Sequence, residues 1–350
     1  MNKLLAICIN DRMFKHSGGW KDEFIACCEE MHIPYEVIDP YKSDIISQLD
    51  RFNALIWPVQ NYVLADIMEA RSILHIAEQK GLKVFPDQNT IWHFDDKIAE
   101  MYALQSVNAP IPQSWVFYLL EDCLAWLEKD AVYPLVAKLR CGSGSNNVKL
   151  LKTREEAIRY ARHMFGRGFD PSPSLLYKAY SKAQSSRNLK TVITRIKRIP
   201  EFLNTRRHAK QLPVEKGYCY FQEFIPNDGY DLKVVVVGEK LSGFGRSVRK
   251  ADFRASGGGS IIYKSELITE QIRESAYAAA KALGLQCMGF DYVVDKRTGS
   301  GKIVEMCYGF DFMVLAGANC YWNINGSRVN QTLNIPREVL TTLLGIDQEH

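Results

Sequence analysis

Short apolar runs alternate with amphipathic stretches over the first ~88 residues: LLAICI, YEVI, ALIWPV and LKVF are separated by segments such as GWKDEFIACCEEM and LADIMEARSILHIAEQ. Brief strands interleaved with helical periodicity predict a parallel α/β layer. The layer reads as Rossmann-like without being a dinucleotide site. NDRMFKHSGGW, which follows the first strand, contains no GxGxxG, and a GxxxxGK phosphate loop occurs nowhere in the chain. From Asp87 the pattern changes, and DQNTIWHFDDKIAEMYALQSVNAPIPQSW predicts one helix with Lys97 near its start. The prolines of NAPIP close it and mark an exit into an extended segment, hence a domain hinge.

Beyond the hinge the periodicity becomes that of strands. YPLVAKLRCGSGSNNVKLL predicts strand, glycine-rich turn, strand, with Lys138 inside the first strand and small polar residues from Gly142 to Asn147 in the turn. CYFQEFIPNDGYDLKVVVVGEKLSGFGRSVRKADFRASGGGS supplies the strands FQEFI, LKVVVV and KLSGFGR around a Gly-Glu turn. Arg246, Arg249, Lys250 and Arg254 follow, before three glycines. MGFDYVVDKRTGSGKIVEMC predicts a hairpin centred near Thr298, which sets Asp291 directly opposite Glu305. A period of two then puts Val293, Ile303 and Cys307 on the same face as the two acids.

Three of these features bear on chemistry. A lysine within an apolar strand is costly unless paired, and beside a loop of exposed backbone N–H groups Lys138 would supply charge to a phosphate chain. The glycine turn by itself is equally an ordinary hairpin connection. Cations around flexible glycine suit a polyphosphate, although a charge run can also be a solvated loop. Opposed carboxylates on an apolar face destabilise a sheet, so a cation should lie between Asp291 and Glu305. Paired carboxylates completed by water and phosphate oxygens are how Mg²⁺ is usually held. The alternatives are two solvated carboxylates, or one of them protonated.

Composition narrows the class. The 350 residues are 47% hydrophobic and 24% charged, which predicts a globular protein with more than one core. The run Leu4 to Ile9 is too short for a signal-peptide core, and no stretch approaches ~18 apolar residues, so a cytoplasmic location is expected. Nine cysteines without a CxxC pair predict reduced thiols rather than a disulfide framework or a zinc site, and seven scattered histidines suggest no metal cluster. The net charge is +4, yet residues 177–216 hold eleven Lys or Arg against Glu201 and Glu215, a local +9 that leaves −5 on the remainder. A cationic segment on an otherwise acidic chain fits an anionic partner or a solvated insertion. Its few aromatic residues argue against nucleic acid.

The order of the pieces resembles the ATP-grasp superfamily: DK in the hinge helix, PLVAK before a glycine turn, FQEFI, a DxK after it, DFRAS with GGG, then GFD and VEMC. The resemblance covers roughly residues 85 to 310. It implies an α/β fold with an α+β lid. Residues 1–88 would be a pre-grasp domain. Residues 89–225 would be the hinge helix and lid, with a basic insertion at about 168–216, and residues 226–350 the C-terminal subdomain with the metal site. Glutathione synthetase, D-alanine:D-alanine ligase and glutamate-tailing ligases belong to that family, and most members join a carboxylate to an amine through an acyl phosphate. By this likeness Lys97, Lys138 and the turn residues Ser143, Gly144 and Ser145 would bind ATP phosphates. Gln222, Glu223, Phe224 and Ile225 would hold the adenine, and Asp231 the ribose. Arg254 and Ser256 would line the phosphates, and Lys138, Arg246 and Arg254 would carry the catalytic charge.

Asp291 and Glu305 match Mg²⁺ ligands. Cys307 stands where the family commonly has Asn, and a thiol is a poor ligand for hard Mg²⁺, so Asp311 or a water would compensate. Lys233 stands where Arg is frequent, which removes a forked donor. The implied activity is an ATP-dependent carboxylate–amine ligase acting on an anionic glycan, lipid-linked or peptide substrate, with a homodimer admitted. A kinase of the same fold and a catalytically weakened nucleotide-binding module are the alternatives.

Overall fold

The computed structural model describes residues 4–9, 19–61, 63–142, 147–172, 207–208, 210–248 and 260–346. The first layer contains β1 (Leu5–Cys8), α1 (Trp20–Glu30), β2 (Tyr35–Ile38), α2 (Ile45–Gln48), β3 (Ala54–Ile56), α3 (Leu64–Gln79) and β4 (Lys83–Phe85). Its strands are parallel, in the order β2-β1-β3-β4. Continuous apolar strands suit a sheet whose inner strands are buried on both sides, and β1 and β3 are buried throughout.

The hinge sequence departs from the single helix expected of it. It forms a short α4 (Gln88–Ile91) and a separate α5 (Lys97–Ser106). Asp95 adopts the left-handed region at φ 56°, and Asp96 caps α5 by accepting from the N–H groups of Ile98 and Ala99 at 3.1 and 3.0 Å. Cap geometry and a positive φ are short-range polar choices that override the run of helical periodicity. The break makes Lys97 the first residue of α5.

A four-stranded antiparallel sheet follows, built from β5 (Ser114–Phe117), β6 (Leu135–Lys138), β7 (Val148–Leu151) and β8 (Cys219–Glu223) in the order β5-β8-β6-β7, with α6 (Leu120–Lys129) and α7 (Arg154–Phe165) packed together. It has a core of its own that includes Cys123, Leu127, Tyr160 and Phe221, to which α5 contributes Ile98 and Met101. Ala103 and Leu104 of the same helix belong to the larger core. One amphipathic helix is thus shared between two cores, which fixes where its first turn points.

The largest sheet comprises β9 (Tyr230–Val237), β10 (Lys240–Ser247), β11 (Ile261–Ile262), β12 (Cys287–Val294), β13 (Gly301–Cys307), β14 (Tyr321–Asn323) and β15 (Arg328–Val329). The order is β13-β12-β9-β10-β14-β15, with β11 on β10, so β13 is an edge. Helices α8 (Glu270–Ala282) and α9 (Ile335–Leu344) pack on it, and α9 also meets α1 and β4. Gln286 ties this sheet to the first layer by accepting from Asp87 N–H at 2.9 Å and donating to the Val84 carbonyl at 2.8 Å. The expected hairpin register is present, with Asp291 opposite Glu305. A bulge between Asp291 and Tyr292 makes Val304 the extra residue and sets Ile303 opposite Tyr292. Ile303 therefore leaves the face of the two acids, contrary to a strict period of two, because a bulge reverses side-chain parity beyond it.

Candidate functional site

Lys97 stands at the N-terminus of α5, the end of a helix least suited to a cation. Its ammonium is buried and bonds Glu305 Oε1 at 3.1 Å and the Gly142 carbonyl at 2.5 Å. Burial works against the charge, but Glu305, Glu100 and Asp95 outweigh it and raise the lysine well above its ordinary range. Gly142 is held from both sides, since its N–H donates to Asp95 Oδ1 at 2.9 Å. It also requires glycine: φ is +109°, and a Cβ there would lie 2.2 Å from Asn147 Nδ2.

Lys138 ends β6 and crosses to the large sheet, where its ammonium donates to the Val304 carbonyl at 2.7 Å. The bulge explains that contact, because it leaves the Val304 carbonyl to seek a partner outside the ladder. Burial pushes Lys138 down to about 8, with Glu305 opposing the shift and Lys97 adding to it. Lys97 and Lys138 thereby meet one short piece of β13 from the hinge helix and from the antiparallel sheet.

Asp291 is the other acid of the register, and it has cations of its own. Lys233 Nζ lies 2.5 Å from Oδ1 and Arg246 Nη2 lies 3.0 Å from Oδ2. Arg246 also forks onto Asp231, with Nε 2.7 Å from Oδ1 and Nη2 2.9 Å from Oδ2. Strand register dictates the cluster, for Lys233 is opposite Asp291 across β9 and β12, and Arg246 is opposite Asp231 across β9 and β10. Burial disfavours the Asp291 charge, yet Arg246 and Lys233 together hold its carboxyl below the usual range. Asp231 moves the other way, to about 6, through burial, against which Arg246 acts. Each carboxylate thus has cations of its own, Lys97 on Glu305 and Lys233 with Arg246 on Asp291.

The nucleotide residues expected on β8 are only partly grouped. Gln222 is buried and donates to Ser114 Oγ and the Tyr220 hydroxyl, lining with Lys97 and Glu305 a narrow crevice between the two antiparallel sheets. Glu223 is half-buried, accepts from Gln113 N–H at 3.4 Å and faces Arg297 at 3.6 Å. Phe224 is half-buried and Ile225 buried just beyond the strand. Ser143, Gly144, Ser145, Arg254 and Ser256 lie outside the described residues, as does most of the basic segment.

Among the described residues no three His, Cys, Asp or Glu side chains converge as a metal-binding group. Asp291 and Glu305 nevertheless offer hard oxygens in register, and one or two carboxylates with phosphates are enough for Mg²⁺. Cys307 lies opposite Gly289, and burial pushes its thiol up to about 12, leaving it protonated and a poor ligand. Asp311 is exposed and accepts from Met313 N–H, so its carboxylate is engaged in capping the next turn. Sequence reasoning missed Glu100. The signal was its spacing of three from Lys97, which puts both on one face of a helix.

The architecture is the ATP-grasp fold. A RimK domain ATP-grasp protein from Sphaerobacter thermophilus is similar over 98% of this chain and 100% of its own, with TM-score 0.57 and 15% identity. D-cycloserine synthetase is similar over 98% and 100%, with TM-score 0.57 and 14% identity. D-alanine–D-alanine ligase from Bacillus anthracis is similar over 88% and 87%, with TM-score 0.53 and 13% identity. No protein-family model matches the sequence, and no curated protein does. No helix among the described residues is long and apolar enough to cross a membrane.

Proposed function

We propose that the chain is an ATP-dependent ligase that joins a carboxylate to an amine through an acyl phosphate. The observation that carries the reading is the approach of Lys97 and Lys138, from two different elements, to the edge strand bearing Glu305 opposite Asp291. Two buried ammonium groups beside two opposed carboxylates are what a triphosphate and its counter-ion require. Names of similarly folded proteins, the two ligases or synthetases above among them, support the same class.

In this reading Lys97 and Lys138 exchange their present acceptors for phosphate oxygens. Arg246, held by Asp231, keeps a guanidinium next to Asp291 and orients that carboxylate. Asp291 and Glu305 would hold Mg²⁺, which when bound neutralises phosphate charge. No protein nucleophile is needed, because the substrate carboxylate attacks the γ-phosphoryl group as ADP leaves, the lysines offset the charge that develops, and the amine then adds to the acyl carbon and expels inorganic phosphate as it loses a proton. Gln222 and the residues after it would take the base, Gln222 lining the crevice that also holds Lys97 and Glu305. The acceptor is an anionic molecule in this proposal, from the +9 charge of residues 177–216.

ATP turnover measured against a matrix of carboxylates and amines, with hydroxylamine as a trap, is the test. A hydroxamate formed with one carboxylate and ATP is the expected product. A phosphorylated alcohol would replace the ligase by a kinase, and nucleotide binding without turnover by a binding module.

A further inference from the structure

As the edge of its sheet, β13 has N–H and C=O groups on its outer side that no neighbouring strand can satisfy. Three of them around Glu305 are satisfied from the hinge and the antiparallel sheet. Ile303 N–H donates to the Pro110 carbonyl at 2.7 Å, the Val304 carbonyl accepts from Lys138 at 2.7 Å, and Met306 N–H donates to Glu100 Oε2 at 3.3 Å. Glu305 lies inside this bracket with its carboxylate on Lys97. Glu100 is one helical turn from Lys97, and both side chains are 4% exposed. Nothing in the proposed chemistry uses Glu100, although an acid so deeply buried beside another acid is expensive to keep.

We infer that Glu100 is a positioning residue for the phosphate end of the cleft: by receiving Met306 N–H it fixes the strand that carries Glu305 relative to the helix that carries Lys97. The inference rests on the nucleotide-binding reading above. Burial pushes Glu100 up to about 8, with Lys97 opposing and Glu305 and Asp95 reinforcing. The geometry alone carries the role: Glu100 Oε2 accepts from Met306 N–H at 3.3 Å one residue beyond Glu305, while Lys97, one turn away on the same helix, holds the Glu305 carboxylate. Lys138, Tyr220 and the Cys307 thiol also feel the Glu100 carboxyl, and of these only Lys138 carries the opposite sign.

Two variants of the full chain separate positioning from mere packing. Gln is isosteric with protonated Glu and keeps an acceptor for Met306 N–H, whereas Ala keeps none. Amide hydrogen exchange of the segment 301–307 should rise in Glu100→Ala and stay near wild type in Glu100→Gln. Calorimetric affinity for Mg²⁺–ADP should fall by roughly tenfold or more in Glu100→Ala and by no more than about threefold in Glu100→Gln, the span expected when one hydrogen bond to a charged site is lost or kept. Faster exchange with unchanged nucleotide affinity would make Glu100 a structural acid only and overturn the inference. Unchanged exchange in Glu100→Ala would overturn the geometry on which it stands. A wild-type chain that binds no nucleotide would remove the reading of function, and with it the role of Glu100 in that function.

Discussion

Asp291 tests whether the acid–base cluster acts as one unit. Asp291→Asn keeps the shape and removes one charge from a buried group of two acids and two cations, Asp231, Asp291, Lys233 and Arg246. The two cations do not suffer equally. Arg246 retains the forked bond to Asp231, while Asp291 is the only ion-pair partner of Lys233 among the described residues. Stranding a buried cation costs about 3–5 kcal/mol, so Asp291→Asn should lose that much locally. Lys233→Met removes the stranded charge and preserves most of the side-chain volume. The double variant should therefore be less destabilised than the two single variants together, by about 1.5–3 kcal/mol, the upper part of the range for directly contacting residues. A chain of several cores need not unfold in one step, so native-state hydrogen exchange of β9 and β12 is the appropriate assay. Additivity within about 0.5 kcal/mol would refute the argument, because it would mean that the 2.5 Å contact between Lys233 and Asp291 contributes nothing.

Three further outcomes are expected. Lys138→Met should weaken ATP binding by about 1.5–3 kcal/mol, measured by calorimetry; because burial lowers Lys138 to about 8, wild-type affinity should fall as pH rises through that value, and a pH-independent affinity would contradict the assignment. His93 is buried and burial lowers it from 6.5 to about 4, so the unfolded chain takes up a proton that the folded chain refuses, and stability should drop as pH falls from about 6.5 toward 4. His93→Gln should flatten that part of the stability–pH curve by about 3 kcal/mol relative to wild type, and parallel curves would disprove it. Cys307→Ala should be nearly neutral for turnover and Cys307→Asn should keep activity and lower the Mg²⁺ requirement; loss of turnover in the alanine variant, with a covalent adduct on the wild-type thiol by mass spectrometry, would instead demand catalysis through that sulfur.

What could be read in advance follows the range of the forces involved. The alternation of apolar runs and the turn KRTGSG are local patterns, and they were enough for the β1 to β4 layer and for the pairing of Asp291 with Glu305. The break between α4 and α5 was not legible, because Asp95 and Asp96 lie within a continuous helical period and the Asp95 carboxylate finds its donor, Gly142 N–H, far along the chain, while the Asp96 carboxylate caps α5 through Ile98 and Ala99 N–H. The bulge at Val304 was equally hidden. One extra residue leaves no mark on composition, yet it removes Ile303 from the acid face and frees the carbonyl that Lys138 takes. Lys138 could be singled out as a costly strand lysine and Lys97 through the family resemblance, but their acceptors were set by tertiary contacts far along the chain. Lys233 was noted only as a weaker substitute for Arg, whereas the forked donor of this cluster turns out to be Arg246.

The charged groups of the cleft thus already have partners within the protein, and a ligand must compete with them. Lys97 is satisfied by Glu305 and Gly142, Lys138 by Val304, and Asp291 by Lys233 and Arg246. In the proposed function a nucleotide would gain these cations only by displacing bonds already made, so the net affinity would be the difference between two sets of charge-assisted contacts rather than the sum of the new one. The same exchange links the two sheets to the ligand. The contact from Lys138 to Val304 joins the antiparallel sheet to β13, and the contact from Lys97 to Gly142 joins the hinge helix to the start of the glycine turn. Binding that draws both ammonium groups onto phosphate releases both joints together, whereas a ligand that reached only one lysine would leave the other joint in place. Coupling of this kind arises from shared groups rather than distance, and it favours a ligand with several adjacent anionic oxygens over a monoanion of equal contact area.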